Sequence, residues 1–167
     1  MLKPPIPADE TERLQALRAL KILDTPAEER FDRLTRIAQH IMQVPIALVS
    51  LVDAERQWFK SRQGLDASET PRDISFCGHA ILSPDVLVVP DTTADRRFAD
   101  NPLVMDAPHI RFYAGVPLTL SNGQRAGPLC AIDRQPRQVS AGQLAALRDL
   151  AQCVSEELER VRQRHHA

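Results

Sequence analysis

Three segments between residues 91 and 133 decide the fold class of this chain: 91–102 (DTTADRRFADNP), 110–118 (IRFYAGVPL) and 127–133 (GPLCAID). The first segment is polar and charged and carries one aromatic residue, whereas the other two are apolar and are expected to form strands. Asn122 and Gly123 lie between those strands and favour a tight hairpin turn. The arrangement predicts a β-sheet with a polar connector over one face, where a small ligand would fit.

Upstream of these segments the sequence predicts a second hairpin and one more strand. Residues 46–53 (IALVSLVD) form a short apolar run rich in β-branched residues, which is typical of a strand buried on both faces. Residues 57–61 follow after a connection short enough for a hairpin, and residues 86–89 (VLVV) predict a further strand. Residues 63–73 are expected to form a loop. The short connections make the sheet, of about five or six strands, antiparallel.

Two helices are expected before the first hairpin. Asp9 and Glu12 have the spacing of a capping box, with Asp9 as the N-cap. Residues 25–28 (TPAE) give a second start signal, with Pro26 at the first helical position, and apolar residues recur at helical spacing up to about Met42. The sequence therefore predicts an α+β fold, with the N- and C-terminal helices on one face of the antiparallel sheet and connector helices and loops on the other.

The last helix begins with a capping box formed by Ser140 and Gln143. Six apolar residues then alternate at spacings of three and four, the pattern of a heptad seam between two copies of the chain: Leu144, Leu147, Ala151, Val154, Leu158 and Val161. Because few other apolar residues follow Ser155, we expect the helix to leave its own domain and pair with a mate. The alternative is a plain amphipathic terminal helix. The predicted division is an irregular segment at 1–8, a domain at 9–155 and a helical exit at 156–167.

Composition excludes several classes of partner. The chain has 167 residues, enough for one domain, and its 21 basic and 22 acidic side chains leave a net charge of −1. Such a balance does not favour nucleic acid or an anionic membrane surface as a partner. No apolar run approaches the ~20 residues of a membrane span, and the N-terminus has no apolar signal region. These observations predict a cytoplasmic protein.

The three cysteines do not define a disulfide framework, because their number is odd and they lie far apart. We expect reduced thiols that are mostly buried. Cys77 and His79 are two residues apart, which allows a thiol with a lowered pKa or one half of a metal site. No second Cys or His pair completes four ligands, so no metal is expected.

Several segments together resemble the GAF domain, a small sensor module of bacterial signalling proteins. The likeness covers residues 8–162 and is specific to the subgroup at the N-terminus of sensor histidine kinases and diguanylate cyclases; it rests on residues 23–26, 31–34, 44–53, 56–61, 75–81, 95–102 and 112–118. Pro128 departs from the subgroup pattern, which usually has Thr there, and suggests an edge position or a bulge because proline cannot donate to a β-ladder.

The resemblance implies a sensory or regulatory module of signal transduction, such as a two-component system. It would bind a small molecule or protein partner and act through a dimerisation helix on a kinase or cyclase output domain, in cis or in trans. The chain ends soon after its last helix, so we expect either a natural single-domain protein or a piece of a longer one.

In such folds a ligand would lie between the sheet and the connectors that cover it. Ten residues are the predicted lining of this ligand-binding pocket: Phe76, Cys77, His79, Asp91, Arg97, Phe98, Asn101, Arg111, Tyr113 and Asp133. Two simpler roles remain open. Arg97 would only tie a connector down through Asp95 or Asp100, and Arg111 would only pair with Asp133.

The resemblance and the motifs predict no catalytic residues, no enzymatic activity and no cofactor, with the ligand unknown. No phosphate-binding glycine loop, nucleophile elbow or paired-carboxylate motif is present. The alternative is a thiol-based redox enzyme or redox sensor that uses Cys77 or Cys130, as in GAF proteins that reduce methionine sulfoxide. The cysteines' flanking residues do not match that family, and neither bilin attachment nor the cyclic-nucleotide pattern fits the sequence.

Overall fold

The computed structural model describes residues 1–166, with side chains up to Arg164. A six-stranded antiparallel sheet in the order β3-β2-β1-β6-β5-β4 forms its centre. The strands are β1 (Ile46–Val52), β2 (Arg56–Gln63), β3 (Glu69–Pro71), β4 (Leu87–Val89), β5 (Phe112–Thr119) and β6 (Arg125–Asp133). The α-helices are α1 (Glu10–Ala19), α2 (Glu29–Met42), α3 (Cys77–Ala80), α4 (Pro102–Met105) and α5 (Ala141–His166).

The sheet separates two hydrophobic cores, which confirms the predicted α+β class. Alternate residues of a strand point to opposite faces. In β1, Ala47, Val49 and Leu51 pack under α1, α2 and α5. Ile46 and Leu48 face the opposite core, which α3, α4 and the connectors cover. We call these the helix face and the connector face. All residues of β1 are buried, as its apolar composition predicts.

The second helix begins later than its start signal predicts. Residues 25–28 are not helical, and α2 begins at Glu29. The cause is the buried ammonium of Lys60, which donates to Thr25 Oγ1 (2.8 Å) and the Pro26 carbonyl (2.6 Å) and lies 2.7 Å from a Glu28 carboxylate oxygen. Satisfying a buried charge outweighs a local capping preference. Asp9 does precede α1, but its side chain makes no capping hydrogen bond.

Two features of the sheet differ from the sequence prediction. A short strand, β3, lies within the predicted loop at 63–73 and pairs with the start of β2. Pro128 lies in β6, between β1 and β5, so the predicted edge position is wrong. Pairing of β6 with β1 ends at Leu129, next to an irregularity in β1 between Val49 and Ser50. Pro128 is therefore paired on one side, opposite Pro117, and removes no hydrogen bond to β1.

The stripe predicted as a dimer seam packs on the chain's own core. Ser140 and Gln143 form the predicted capping box, with both reciprocal hydrogen bonds at 3.0 Å. Five of the six stripe residues are at most 4% exposed: Leu147, Ala151, Val154, Leu158 and Val161. Leu144 is half-buried. We expected the helix to leave its domain after Ser155. As far as its side chains are described, the helix instead stays on the domain, because the stripe covers α2 and β5. Across the described residues, no helix is both long and apolar enough to cross a bilayer.

Candidate functional site

The connector face contains a closed aromatic cluster and, beside it, an open cavity. In the cluster, the Phe76 and Phe98 rings stack with centroids 4.1 Å apart, and Tyr113 lies 5.2 Å from Phe76. His79 meets the Phe98 ring edge-on at 5.0 Å. The three aromatic side chains are at most 2% exposed, so they fill the space in which a ligand was predicted.

Two of the three cysteines belong to this cluster. The Tyr113 hydroxyl donates to Cys77 Sγ over 3.3 Å, and Cys130 is buried in the same core. Burial raises the pKa of Cys130 and of Tyr113 well above their usual values. A thiol with a raised pKa, such as Cys130, carries little thiolate at neutral pH and is a poor nucleophile. Burial acts to raise the pKa of Cys77 as well, but hydrogen bonds to its sulfur lower it; Cys77 is only 2% exposed, so reagents cannot reach it. Cys77 and Cys130 are buried and Cys153 is exposed on α5, so most of the thiols are buried as expected.

The predicted polar residues hold the connectors in place. His79 donates from Nε2 to the Leu2 carbonyl (3.1 Å), and burial lowers its pKa. Asn101 caps α4 by accepting from the Leu103 N–H (2.8 Å) and also donates to the Ile74 carbonyl (3.0 Å). Asp91 accepts from the backbone and hydroxyl of Thr93. Each of these side chains is satisfied by its own chain.

The charged members of the predicted set behave differently from one another. Arg97 makes a two-pronged pair with Asp95 (3.0 and 2.8 Å), and this pairing lowers the pKa of Asp95. These contacts match the simpler role predicted for Arg97, in which it pairs with Asp95 within the connector. Arg111 donates to the Val104 carbonyl (2.8 Å) instead of to the carboxylate of Asp133. That carboxylate lies 3.3 Å from Arg137, so the predicted Arg111–Asp133 side-chain pair is wrong.

The cavity beside the cluster has a volume of about 410 Å³. Its floor is the connector face of β1, β2 and β6: Ile46, Leu48, Phe59 and Ile132. Residues 64–67 form one lip, and Leu103 with residues 107–110 forms the other. Small-molecule sites are commonly concave, mostly apolar and of this size, with a few polar groups that fix orientation. None of the ten predicted residues lines this cavity.

Gly64 shapes the first lip. Its φ of +77° is a conformation that favours glycine, and a Cβ there would lie 2.0 Å from the Pro45 carbonyl oxygen. The chain therefore turns back tightly against the start of β1. From the sequence, Gly64 is only part of the predicted loop at 63–73.

A wider cleft of about 600 Å³ opens beside β2, but several of its polar groups are already paired. Lys60 contacts Glu28, and Ser61 donates to Asp32 (2.6 Å). Over the described side chains, no three His, Cys, Asp or Glu residues are placed to hold a metal ion. The cavity on the connector face is therefore the better candidate for a ligand.

An antiparallel sheet with terminal helices on one face and capping connectors on the other defines a small α+β domain. The GAF domain family model matches residues 26–158, and the chain belongs to that family. The chain is 47% identical over 137 residues to a Pseudomonas aeruginosa protein named as a cyclic di-GMP phosphodiesterase. The match covers 82% of this chain and 23% of that relative, so the chain spans about a quarter of its length.

Solved structures share the fold at low sequence identity. A domain from a Sinorhizobium meliloti protein described as a two-component sensor histidine kinase has a TM-score of 0.64 at 16% identity, covering 83% of this chain and 95% of that one. The free methionine-R-sulfoxide reductase of Neisseria meningitidis has a TM-score of 0.65 at 19% identity, covering 98% of both chains. At these identities the likeness shows the fold alone.

These comparisons correct the expectation that the chain has no enzymatic role. The relative from P. aeruginosa is named as an enzyme, and an enzyme also shares the fold. From the sequence, we expected no enzymatic activity because catalytic motifs are missing. That reasoning is wrong, because a domain without such motifs can be one part of a longer enzyme.

Proposed function

We propose that this chain is the ligand-sensing domain of a bacterial signalling protein and that its ligand binds in the cavity on the connector face. The 47% identity to part of a cyclic di-GMP phosphodiesterase supports a linked output domain that acts on a cyclic dinucleotide. The observation that carries the proposal is the cavity itself. It offers about 410 Å³ above an apolar floor, whereas the adjoining aromatic cluster is closed.

The route from the cavity to α5 is short. Ile132 and Arg134 line the cavity, and α5 begins at Ala141. Between them, the Arg137 guanidinium lies 3.3 Å from the Asp133 carboxylate and donates to the Met42 carbonyl at the end of α2. The Arg137 backbone N–H donates to the Pro90 carbonyl (3.1 Å). A ligand that moves Arg134 would therefore shift a segment that is tied to two other elements. Occupancy would be transmitted to the first turns of α5.

The test uses the fluorescent probe 8-anilinonaphthalene-1-sulfonate and a variant that fills the cavity. Leu65 is half-buried at the lip, so Leu65→Trp should fold and block the probe. Leu82→Trp is the matched control, because Leu82 is exposed and lies outside the cavity. Circular dichroism and thermal unfolding check that both variants fold.

We expect the wild type and Leu82→Trp to bind the probe and Leu65→Trp to lose binding. Hydrogen exchange in the presence of the probe should slow at residues 134–145, the segment that leads into α5. Equal binding by both variants would place the probe elsewhere and refute the proposed site. Binding without any change at 134–145 would refute the proposed route.

A further inference from the structure

We infer that the ligand is an elongated organic anion with an aliphatic body and a hydrogen-bond donor at the end opposite its charge. This inference rests on the proposed function, because it names the chemistry of the ligand for the same cavity. Three observations carry it: a buried amide oxygen without a hydrogen-bond donor at one end of the cavity, an arginine guanidinium without a partner among the described residues at the other, and an apolar floor between them.

The inner end of the cavity contains Gln57. Its side chain is 5% exposed, and its Nε2 donates to Thr70 Oγ1 over 2.5 Å. Its Oε1 is buried and accepts no hydrogen bond from the described residues. A buried carbonyl oxygen without a donor is unfavourable, and most such groups in proteins are satisfied. A ligand N–H or O–H in the cavity would supply the missing donor.

The outer end contains Arg134. Its side chain is exposed, and its guanidinium has no hydrogen bond or ion pair with the residues up to Arg164 that the structure describes. His109 lies on the facing lip, and Asp66 is the one acidic residue in the lining. An arginine presents a planar fork that suits carboxylate geometry. The Arg134 guanidinium, which is unpaired among the described residues and lies at the rim of an apolar cavity, therefore favours an anionic group on the ligand.

The strand register sets the separation of these ends. Gln57 is paired with Val52 at one end of β1, and Ile132, two residues before Arg134, is paired with Ile46 at the other. Val52 and Ile46 are six residues apart, which is roughly 20 Å of strand. Gln57 and Arg134 both line the cavity and have long side chains, which can shorten the gap between their polar groups. The floor between them is mainly aliphatic, so a chain of about ten carbons is a suitable probe of the spacing.

The test compares three probes of equal length by amide chemical-shift titration, below their micelle concentrations. The probes are 10-hydroxydecanoate, decanoate, which lacks the donor, and decane-1,10-diol, which lacks the charge. Because hydrogen bonds to charged groups are the stronger ones, we expect the diol to bind about tenfold more weakly than 10-hydroxydecanoate, and decanoate to bind about fivefold more weakly.

Two variants assign each preference to its residue. Arg134→Gln should abolish the preference for the acid over the diol. Gln57→Leu should abolish the preference for 10-hydroxydecanoate over decanoate. Arg148→Gln, an exposed arginine of α5, should keep both preferences.

Equal binding of the three probes to the wild type would overturn the ligand class and leave the cavity as a site. Preferences that survive Arg134→Gln or Gln57→Leu would overturn the assigned contacts. Failure of all three probes would also overturn the ligand class. Whether the cavity takes any ligand is decided separately by the Leu65→Trp experiment.

Discussion

The ion cluster that ties α1 to the sheet gives the sharpest prediction. Arg13 and Arg72 are 1% and 4% exposed, and both contact the carboxylate of Glu10. Arg13 lies 2.6 Å from Glu10 Oε1, and Arg72 donates to both carboxylate oxygens at 2.9 and 2.8 Å. Each guanidinium also has a buried Nε without a hydrogen-bond partner. One carboxylate thus balances two buried cations, so its removal should be severe.

The magnitude follows from the pKa of Glu10. Burial acts to raise this pKa, but hydrogen bonds from Arg72 and Arg13 outweigh it and lower the pKa from 4.5 to about 2. A lowered folded-state pKa means that the carboxylate stabilises the fold above pH 4.5 and that this contribution is lost as the pH falls toward 2. The difference corresponds to about 3 kcal/mol at pH 7. By the same linkage it falls to less than half of that, roughly 1.4 kcal/mol, at pH 3.

The perturbation is Glu10→Gln, which keeps the shape of the side chain and removes the charge. Urea unfolding followed by the fluorescence of Trp58, which is buried on the helix face, gives the free energy of unfolding. We expect a loss of about 3 kcal/mol at pH 7 that shrinks at pH 3. Glu12→Gln, an exposed carboxylate of the same helix, is the control and should change little. A loss below about 1 kcal/mol, or one of equal size at both pH values, would refute the reasoning.

Three further predictions follow from burial and backbone conformation. In the native protein, iodoacetamide should modify exposed Cys153 well before buried Cys77 and Cys130, as read by mass spectrometry; early labelling of Cys77 would contradict the closed cluster. Leu147→Ala should lower the free energy of unfolding by about 2–5 kcal/mol, because Leu147 is fully buried in its own chain. Gln152→Ala, on the exposed side of the same helix, should change it little. A change in sedimentation without lost stability would instead support the predicted dimer seam. In urea unfolding, Gly64→Ala should lower the free energy of unfolding more than Gly123→Ala. Both glycines have positive φ, but only at Gly64 would a Cβ meet a neighbouring backbone atom. Equal losses would mean that backbone strain explains the whole effect and that the contact with Pro45 contributes nothing.

The sequence predicted the elements governed by local patterns. The run at 46–52 and the Asn122–Gly123 turn depend on composition and spacing, and both appear as expected. The α5 capping box also depends only on near neighbours, and it forms with both hydrogen bonds. Binary patterning and turn chemistry suffice for such elements.

The failures share a different cause, which is contact between residues distant in sequence. The start of α2 is set by Lys60, more than thirty residues downstream. The stripe on α5 has heptad spacing, but that spacing is also what a helix needs to cover α2 and β5 of its own chain. Periodicity reports that a face is buried and does not report what covers it.

The candidate site shows the same limit. The sequence predicts ligand binding from the types of the aromatic and polar residues between 76 and 133. The structure instead packs the aromatic residues against each other and pairs the polar ones with neighbouring backbone and side chains. The cavity is lined by aliphatic residues from three strands and by two loops that carry no motif. The unpaired Gln57 oxygen becomes recognisable only once β2 and β3 are placed, and Arg134 is one of many exposed arginines in the sequence.

The N-terminal segment also belongs to the folded unit, although the family match begins at residue 26. Leu17 and Leu20 are fully buried, and Glu10 joins α1 to Arg72 in the turn that leads to α3. A version that starts at residue 26 would expose this apolar surface and leave Arg72 buried without its carboxylate. Studies of ligand binding therefore need residues 1–25 as well.

Strand β6 gives a physical reason why a ligand on the connector face would displace residues on the helix face. Cys130 and Ile132 lie in the core of the connector face, and Leu129 and Ala131 lie in the core of the helix face. Because these residues alternate along one strand, a displacement of Ile132 by a ligand must also move Ala131, which packs in the core shared with α5. Close-packed cores transmit such shifts instead of absorbing them. The sheet itself can therefore couple the cavity to α5, and the coupling does not require a second copy of the chain.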